Sequence, residues 1–536
     1  MSTPHRTPNP LWVAFRRDPF FWLLFVLSTV GAVVPFWRTA YLPFLDAPQH
    51  LLTIAIIDGV GTPGVDAFYS VDLASTQYLL YYLTCDLLAD LFGVEHANTI
   101  FLSIYAVLLP WSVLYAIEAF GRLRAAALLA IPLTFNTFLF YGFVNYVFAF
   151  PLLFFAMGLA QRACLAPSRS WWREAGLAAL AVLSFYSHLQ VFLVHIGAVG
   201  LVVLASRPAP RAFILRLSHL VPALVLFAFW ALGSSGLAGG EAWEGAVGAR
   251  YASLTGAKWE PLDQTLSQVP ARLMGVYKGH TDERYLVAVA IGLLLLFFFR
   301  GGRNAAGPST PTDTPERPRS LAPEAFVLFM VLFYVCLPDS YKWIWPVNWR
   351  FAPVAALGML LMGTASVPRW VHHGLTALFG AIAIGSLAMH SDRFAAFGRE
   401  AGEFDEIVAS VEPESRLVSV IFASHSEVVE GPAYLHFGQY PVIRHRGGVA
   451  VYSFAEAPQS PIRFVPRDKG GPPPTQLRSE WKPNEFRLTG ENRYYDYILV
   501  RGEPPGFQRR AGFDASVSLV KRVGAWTLYR HNRHGV

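Results

Sequence analysis

Eleven long apolar stretches divide the first 390 residues of this 536-residue chain. They fall at about 20–37, 97–119, 123–141, 143–161, 174–189, 190–206, 215–235, 285–300, 321–338, 351–367 and 373–390. Several approach the ~20 residues that cross ~30 Å of hydrocarbon. The composition agrees. Only 15% of residues are Asp, Glu, Lys or Arg, against about 25% in soluble domains, and the mean hydropathy is +0.37. The expected fold is an all-α polytopic membrane protein of about eleven transmembrane helices over residues 1–390, with a C-terminal α/β domain over 391–536. The first stretch reads as a signal anchor. It follows Arg16-Arg17 and leads into Pro35, Phe36 and Trp37 rather than into a small-residue cleavage site.

Charge sets the expected orientation. Arg16-Arg17, Arg122/Arg124, Arg162/Arg169/Arg173, Arg207/Arg211, Arg300/Arg303/Arg317/Arg319 and Arg369 all fall on one side of the eleven stretches. That side is the cytoplasm, with Arg38 the lone cation at the outer end of the first stretch. The net charge of +6 is accounted for by these connections and implies no nucleic-acid partner. Residues 77–92 are apolar but contain Asp86 and Asp90. Counting them as a span would invert every later loop, so they are expected to form an interfacial or re-entrant helix with Tyr78, Tyr81 and Tyr82 at headgroup level. The extracytoplasmic pieces are then the loop 38–96, the loop 236–284, the short loop 339–350 and everything after 390. In the last of these, 392–411 reads as an amphipathic helix, and 416–422, 449–454, 494–501 and 516–529 read as strands. Cys85, Cys164 and Cys336 are far apart and offer neither a disulfide framework nor a metal cluster.

The loop after the first stretch reads Tyr41-Leu42-Pro43-Phe44-Leu45-Asp46-Ala47-Pro48-Gln49-His50. Four residues apart on a helix, Asp46 and His50 share a face. An acid and a histidine there serve as a general base with an orienting partner, or as two ligands of a divalent metal. The structural alternative is that Asp46 caps a helix whose first turn holds Pro48. Asn145 and His188 sit in near-absent loops at the same depth, where they line a pocket or bond between helices. His195 lies inside a stretch and reads as a structural contact. The loop 339–350 combines Lys342 and Arg350 with Trp343, Trp345 and Trp349. Arg350 is not needed there for orientation. Its guanidinium either grips a phosphate bidentately or snorkels to lipid headgroups. Arg284 closes the mixed-charge loop 236–284, which reads as a lid or small subdomain.

Together these residues resemble the GT-C superfamily of integral-membrane glycosyltransferases. An acid, Asp46, follows the first span in a long external loop. The loop continues through the Tyr-rich Gln77-Tyr78-Leu79-Leu80-Tyr81-Tyr82-Leu83 and Leu91-Phe92-Gly93-Val94-Glu95 into the next span. The many spans precede an external domain that closes with Tyr495-Asp496-Tyr497-Ile498-Leu499-Val500-Arg501 and Trp526-Thr527-Leu528-Tyr529-Arg530. Ala47 stands where many members carry a second acid. The resemblance implies an enzyme of the bacterial inner (plasma) membrane that moves a hexose or pentose from a polyprenyl-phosphate donor to a glycan, lipid or protein acceptor on the extracytoplasmic face. Asp46 and His50 would be catalytic, or would hold a divalent metal. Asn145, His188, Lys342, Arg350 and Arg284 would bind substrate. Two other readings stay open at this point: a transporter or flippase for a lipid-linked solute, and a non-catalytic membrane scaffold.

Overall fold

The computed structural model describes residues 18–233, 256–299, 320–341, 344–363, 367–457, 459–473 and 478–532. Each apolar stretch is helical over most of its described residues. Among the described residues five helical segments are long and apolar enough to cross a membrane: Pro19–Trp37, Val94–Ala119, Val144–Leu165, Pro210–Leu232 and Arg369–Ala401. Their lengths and composition mark an integral membrane protein. Trp171–Ser187, Leu189–Ala205, Thr281–Phe298, Ala322–Cys336 and Phe351–Met359 stand beside them. Leu79–Phe92 is a separate helix that buries Tyr81, Tyr82, Cys85 and Ala89 and exposes Leu83, Leu87 and Leu91. The helix expected at 77–92 is thus present, with Tyr81 and Tyr82 packed into the protein.

The stretch 123–141 is not one helix. A 3-10 segment, Arg124–Leu129, passes into Ala130–Leu133, and Asn136 then restarts the chain by accepting from the backbone N–H groups of Phe138 (3.1 Å) and Leu139 (3.3 Å). Pro132 lies in this region, and proline removes a helix donor. The break sits in the protein interior. Ala125 through Ile131 are at most 1% exposed, and broken backbone at membrane depth is tolerated when protein covers it.

Residue 390 is no boundary in the chain path. The final stretch and the expected amphipathic helix at 392–411 are largely one helix, Arg369–Ala401, followed by the short Phe404–Val408. Beyond it lies a four-stranded sheet of β4 (Leu417–Ile421), β6 (Tyr497–Arg501), β8 (Trp526–His531) and β7 (Val517–Val523), in that order. β4 pairs with β6 in parallel, with Val420 opposite Val500, and the rest is antiparallel. The turn between β7 and β8 uses Gly524 at φ +52°. The strand expected at 449–454 is replaced by a single bridge, Val449 to Arg416, and a 3-10 turn, Ser453–Glu456. That turn is held by side-chain bonds from Ser453 and a backbone bond from Phe454 to Gln49, which take the place of a ladder.

Two devices join this C-terminal part to the helices, a strand pair and an ion-pair bridge. β1 (Tyr69–Val71) of the first external loop pairs with β5 (Ile462–Phe464). A second small pair, β2 (Ala257–Lys258) with β3 (Ser340–Tyr341), ties two loops within the first 390 residues together. Arg444 bridges Glu95 (3.0 Å) and Asp405 (2.6 Å), and Asp405 also accepts from the Tyr41 hydroxyl. One apolar core therefore runs from Phe36 and Phe44 through Phe394 and Tyr41 to Phe437 and Trp526. The sheet keeps its own small core on the other face, around Val418, Ile498 and Tyr529.

Candidate functional site

Asp46 stands just before the helix Ala47–Asp58, whose first turn contains Pro48. Its side chain makes no capping bond, so the cap reading does not account for it. Instead the backbone is pinned, and the carboxylate turns inward. Leu45 N–H donates to Phe140 O (2.9 Å) and Asp46 N–H to Tyr141 O (3.3 Å). Gly142 closes that turn at φ +87°, with its Cα so near that a Cβ there would stand 2.8 Å from Asp46 Cβ. This close approach of two turns makes glycine necessary at 142.

A cavity of about 600 Å³ opens in front of Asp46. Of the residues singled out in the sequence, Asp46, His50, Asn145, His188 and Arg350 all line it. They come from four separate parts of the chain. Asp46 and His50 belong to the first external loop, and Asn145 opens the helix Val144–Leu165. His188 sits between Trp171–Ser187 and Leu189–Ala205, and Arg350 closes the 3-10 turn Asn348–Arg350. Much of the remaining lining is apolar or aromatic, including Phe143, Leu189, Leu193, Leu337, Ile344, Trp345 and Phe454.

Two of the expected cations do not join them. Arg284 lies exposed in the first turn of Thr281–Phe298 and is not part of the cavity lining. The helix starts there with Asp282 buried instead, its carboxylate accepting from Val276 N–H (2.7 Å), and that bond turns Arg284 outward. Lys342 lies outside the described residues. His195 is fully buried in its helix and stays away from the cavity.

Several lining groups are held without being satisfied. Arg350 reaches Gln190 Oε1 (3.4 Å) and Trp345 O (3.5 Å) and packs over the Phe143 ring at 5.1 Å. It makes no ion pair among the described residues. Arg350 Nε, Asn145 Oδ1 and His188 Nδ1 are buried atoms with no hydrogen-bond partner among the described residues. A buried unpaired polar atom costs about 1–3 kcal/mol. Three on the lining of one cavity are expected where a polar ligand completes the bonding.

His50 has a different role from Asp46. Its Nδ1 lies 2.9 Å from the Tyr82 hydroxyl, and its ring meets Phe454 edge-on at 5.0 Å. Burial pushes its pKa down to about 4, opposed by a hydrogen bond to the Gly142 backbone. It is a neutral imidazole at pH 7, with both ring edges engaged. Among the described residues Asp46 and His50 belong to no group of three His, Cys, Asp or Glu ligands, and the histidine nearest Asp46, His436, is engaged by Gln49 and Glu480. Among the described residues the one such cluster is Asp18, His372 and His373, elsewhere in the protein. The pair does not fit a divalent cation held by protein ligands, and no step below is routed through one.

Asp46 has one partner a turn along its own helix and one from the C-terminal part of the chain. Gln49 Nε2 is 3.4 Å from Asp46 Oδ1, and His436 Nε2 is 3.7 Å from the same oxygen. His436 Nδ1 is 2.8 Å from Glu480 Oε2, and the Glu480 side chain is completely buried. Burial raises the Asp46 pKa to about 6, with His436 and Gln49 pulling it down. Burial alone would lower the pKa of His436, but the charge and hydrogen bond of Glu480, then Asp46, leave it raised. A carboxyl poised near neutrality in a cleft is a hallmark of a functional group. Sequence reading missed His436 and Glu480 entirely. Their sole local sign is an acid in the run Ser479-Glu480-Trp481, which is weak.

No family model matches this chain, and no curated protein matches it. Solved structures do. The crystal structure of ArnT from Cupriavidus metallidurans bound to undecaprenyl phosphate aligns over 96% of this chain and 98% of that one, with TM-score 0.58 and 11% identity. The apo state of the same protein aligns over 95% and 97%, with TM-score 0.49 and 12% identity. The helices and the small C-terminal sheet are thus arranged as in ArnT, and this chain shares the fold of that protein.

Proposed function

We propose that this protein transfers a sugar from a polyprenyl-phosphate donor to an acceptor on the extracytoplasmic face of the membrane. One observation carries the reading: a single cavity holds the Arg350 guanidinium, with no ion pair among the described residues, together with the buried Asp46 carboxylate, whose pKa is raised. The fold adds to it, because ArnT, its structural neighbour, binds undecaprenyl phosphate. Access from lipid is supported by Leu193, 52% exposed on an apolar helix, and Trp345, 44% exposed, which both line the cavity. A prenyl tail fits that apolar side.

In the reaction an acceptor hydroxyl attacks the anomeric carbon of the sugar. The bond from that carbon to the phosphate oxygen breaks, and the lipid phosphate leaves with the electron pair. Arg350 binds the phosphate and stabilises the charge that grows on it. Asp46 accepts the proton of the attacking hydroxyl. Asn145 and His188 supply the polar contacts that orient the sugar, and His50, held by Tyr82, supports the loop that carries Asp46. Lipid phosphate is a good leaving group, so placement and these charges supply most of what is required. The acceptor class, whether glycan, lipid or protein, and the orientation of the C-terminal part outside a bacterial inner membrane belong to this proposal.

The test uses the full chain in lipid nanodiscs, offered a panel of undecaprenyl-phosphate-linked hexoses, pentoses and aminosugars with envelope extracts as acceptor. Release of undecaprenyl phosphate that depends on Asp46 and Arg350 is the expected result. A chain that neither binds undecaprenyl phosphate nor releases it from any donor would sink the reading.

A further inference from the structure

The proton taken by Asp46 needs a destination, and the groups behind it supply one. Gln49 Oε1 accepts from the Ser453 hydroxyl (2.6 Å) and from the backbone N–H of Phe454 (3.2 Å). A backbone N–H can only donate, so the oxygen end of this amide is fixed and Nε2 is the donor end. That nitrogen lies 3.0 Å from His436 Nε2 and 3.4 Å from Asp46 Oδ1. His436 Nε2 therefore presents a lone pair. The ring proton is on Nδ1, which donates to Glu480 Oε2 at 2.8 Å. A carboxylate as buried as Glu480 is costly unless paired, and the His436 ring is its partner here. Facing Asp46 are His50, Tyr82 and His436; facing His436 are Asp46 and Glu480. Arg350, His188, Tyr78, Tyr146 and Tyr341 are the other titratable groups on the cavity wall.

We propose that His436 and Glu480 are positioning residues for Asp46: through Gln49 they aim its carboxylate, and His436 Nε2 receives the proton that Asp46 takes from the acceptor. This rests on the reading of Asp46 as the base. In the step, the O–H bond of protonated Asp46 breaks, its electron pair stays on the carboxylate, and an N–H bond forms on His436 Nε2. The imidazolium then lies between two carboxylates, and the Gln49 amide swings off the ring. The 3.7 Å gap first closes to hydrogen-bond reach, as catalytic contacts do when substrate binds. The C-terminal part of the chain thereby supplies the groups behind Asp46 as well as part of the cavity wall, including Phe454.

His436→Gln tests this in the full chain in nanodiscs. Glutamine keeps an oxygen for Gln49 and an N–H for Glu480 but takes up no proton. The Asp46 carboxyl band in the infrared, identified by its loss in Asp46→Asn, is followed against pH. The expected result is a titration midpoint displaced to higher pH in His436→Gln, with an unchanged unfolding temperature. Identical midpoints in the two proteins overturn the proposal. A second measurement serves if that variant does not fold: in Glu480→Gln the 15N signals of His436 are expected to titrate at lower pH than in the wild-type chain. An unmoved His436 titration overturns it as well. Neither measurement needs a sugar donor. Coupled titrations without any sugar transfer would remove the glycosyltransferase reading and keep the pairing, whereas transfer with uncoupled titrations would do the reverse.

Discussion

His436 Nε2 lies 3.7 Å from Asp46 Oδ1, so a ring from the C-terminal part faces a carboxylate of the first long loop across a sequence separation of nearly 400 residues. This contact governs the pH behaviour expected of the protein. Asp46 has its pKa raised to about 6 by burial. As the base it works only when ionised. Activity should rise with pH through about 6 and fall away on the acid side, because protonation removes the base. The pH dependence of kcat/KM, which reports the free enzyme, checks this. An acid limb at the ordinary carboxylate pKa, near 4, would contradict it.

Replacing Asp46 by Asn should lower transfer by roughly 10²–10⁴-fold, the usual contribution of a general base. The fold should survive, because Asp46 makes no helix-capping bond and the change removes a buried charge. The paired measurements are the release of lipid phosphate and the unfolding temperature. Full activity in Asp46→Asn would strip Asp46 of its assigned role.

Gly142→Ala is expected to damage the site without touching any polar group. The new methyl would meet Asp46 Cβ at 2.8 Å, on a backbone held at φ +87°. Such strain costs about 1–3 kcal/mol. The expected outcome is a lower unfolding temperature together with a displaced Asp46 and reduced kcat. Thermal unfolding and steady-state kinetics on one preparation check both halves.

Arg350→Ala should weaken binding of undecaprenyl phosphate by about 1.5–3 kcal/mol, the range for a hydrogen bond to a charged group. That is roughly one to two powers of ten in Kd. Arg350→Lys should recover only part of the loss, since an ammonium lacks the forked geometry. Native mass spectrometry or a lipid titration in nanodiscs measures the series. Equal affinity in all three proteins would place the phosphate elsewhere.

Tyr82→Phe should leave His50 Nδ1 buried without its 2.9 Å partner. The expected cost is about 1–3 kcal/mol of stability, read as a fall in unfolding temperature. Transfer should drop less than in Asp46→Asn, because His50 acts as a support for the loop. A loss as large as that of Asp46→Asn would give His50 a direct part in the chemistry.

Local pattern was enough for much of this. Hydropathy placed each apolar stretch, because twenty apolar residues in a row have one stable home whatever surrounds them. The expected loop pattern, drawn from the two acids in 77–92 and the arginines in the short loops, groups Asp46, His50, Asn145, His188 and Arg350 at the ends of apolar stretches on one expected side. The structure brings these five to one cavity. Local pattern failed where a single position depends on a distant neighbour. Arg284 looked equivalent to Arg350, yet the buried Asp282 beside it turns it outward. The stretch at 449–454 has strand-like residues, but Gln49 captures its backbone before a ladder forms.

His436, Glu480 and the hydrogen-bonding sense of Gln49 belong wholly to the tertiary structure. A histidine and a glutamate in a polar C-terminal region carry no periodicity and no spacing that marks them. They become a site only because folding removes them from water and sets them 2.8 Å apart behind a carboxylate nearly 400 residues away. Hydrophobic periodicity is a property of neighbours along the chain and can be read from the chain. Burial of a charge, and the partner that makes it tolerable, is a property of neighbours in space, and only the packed structure decides it.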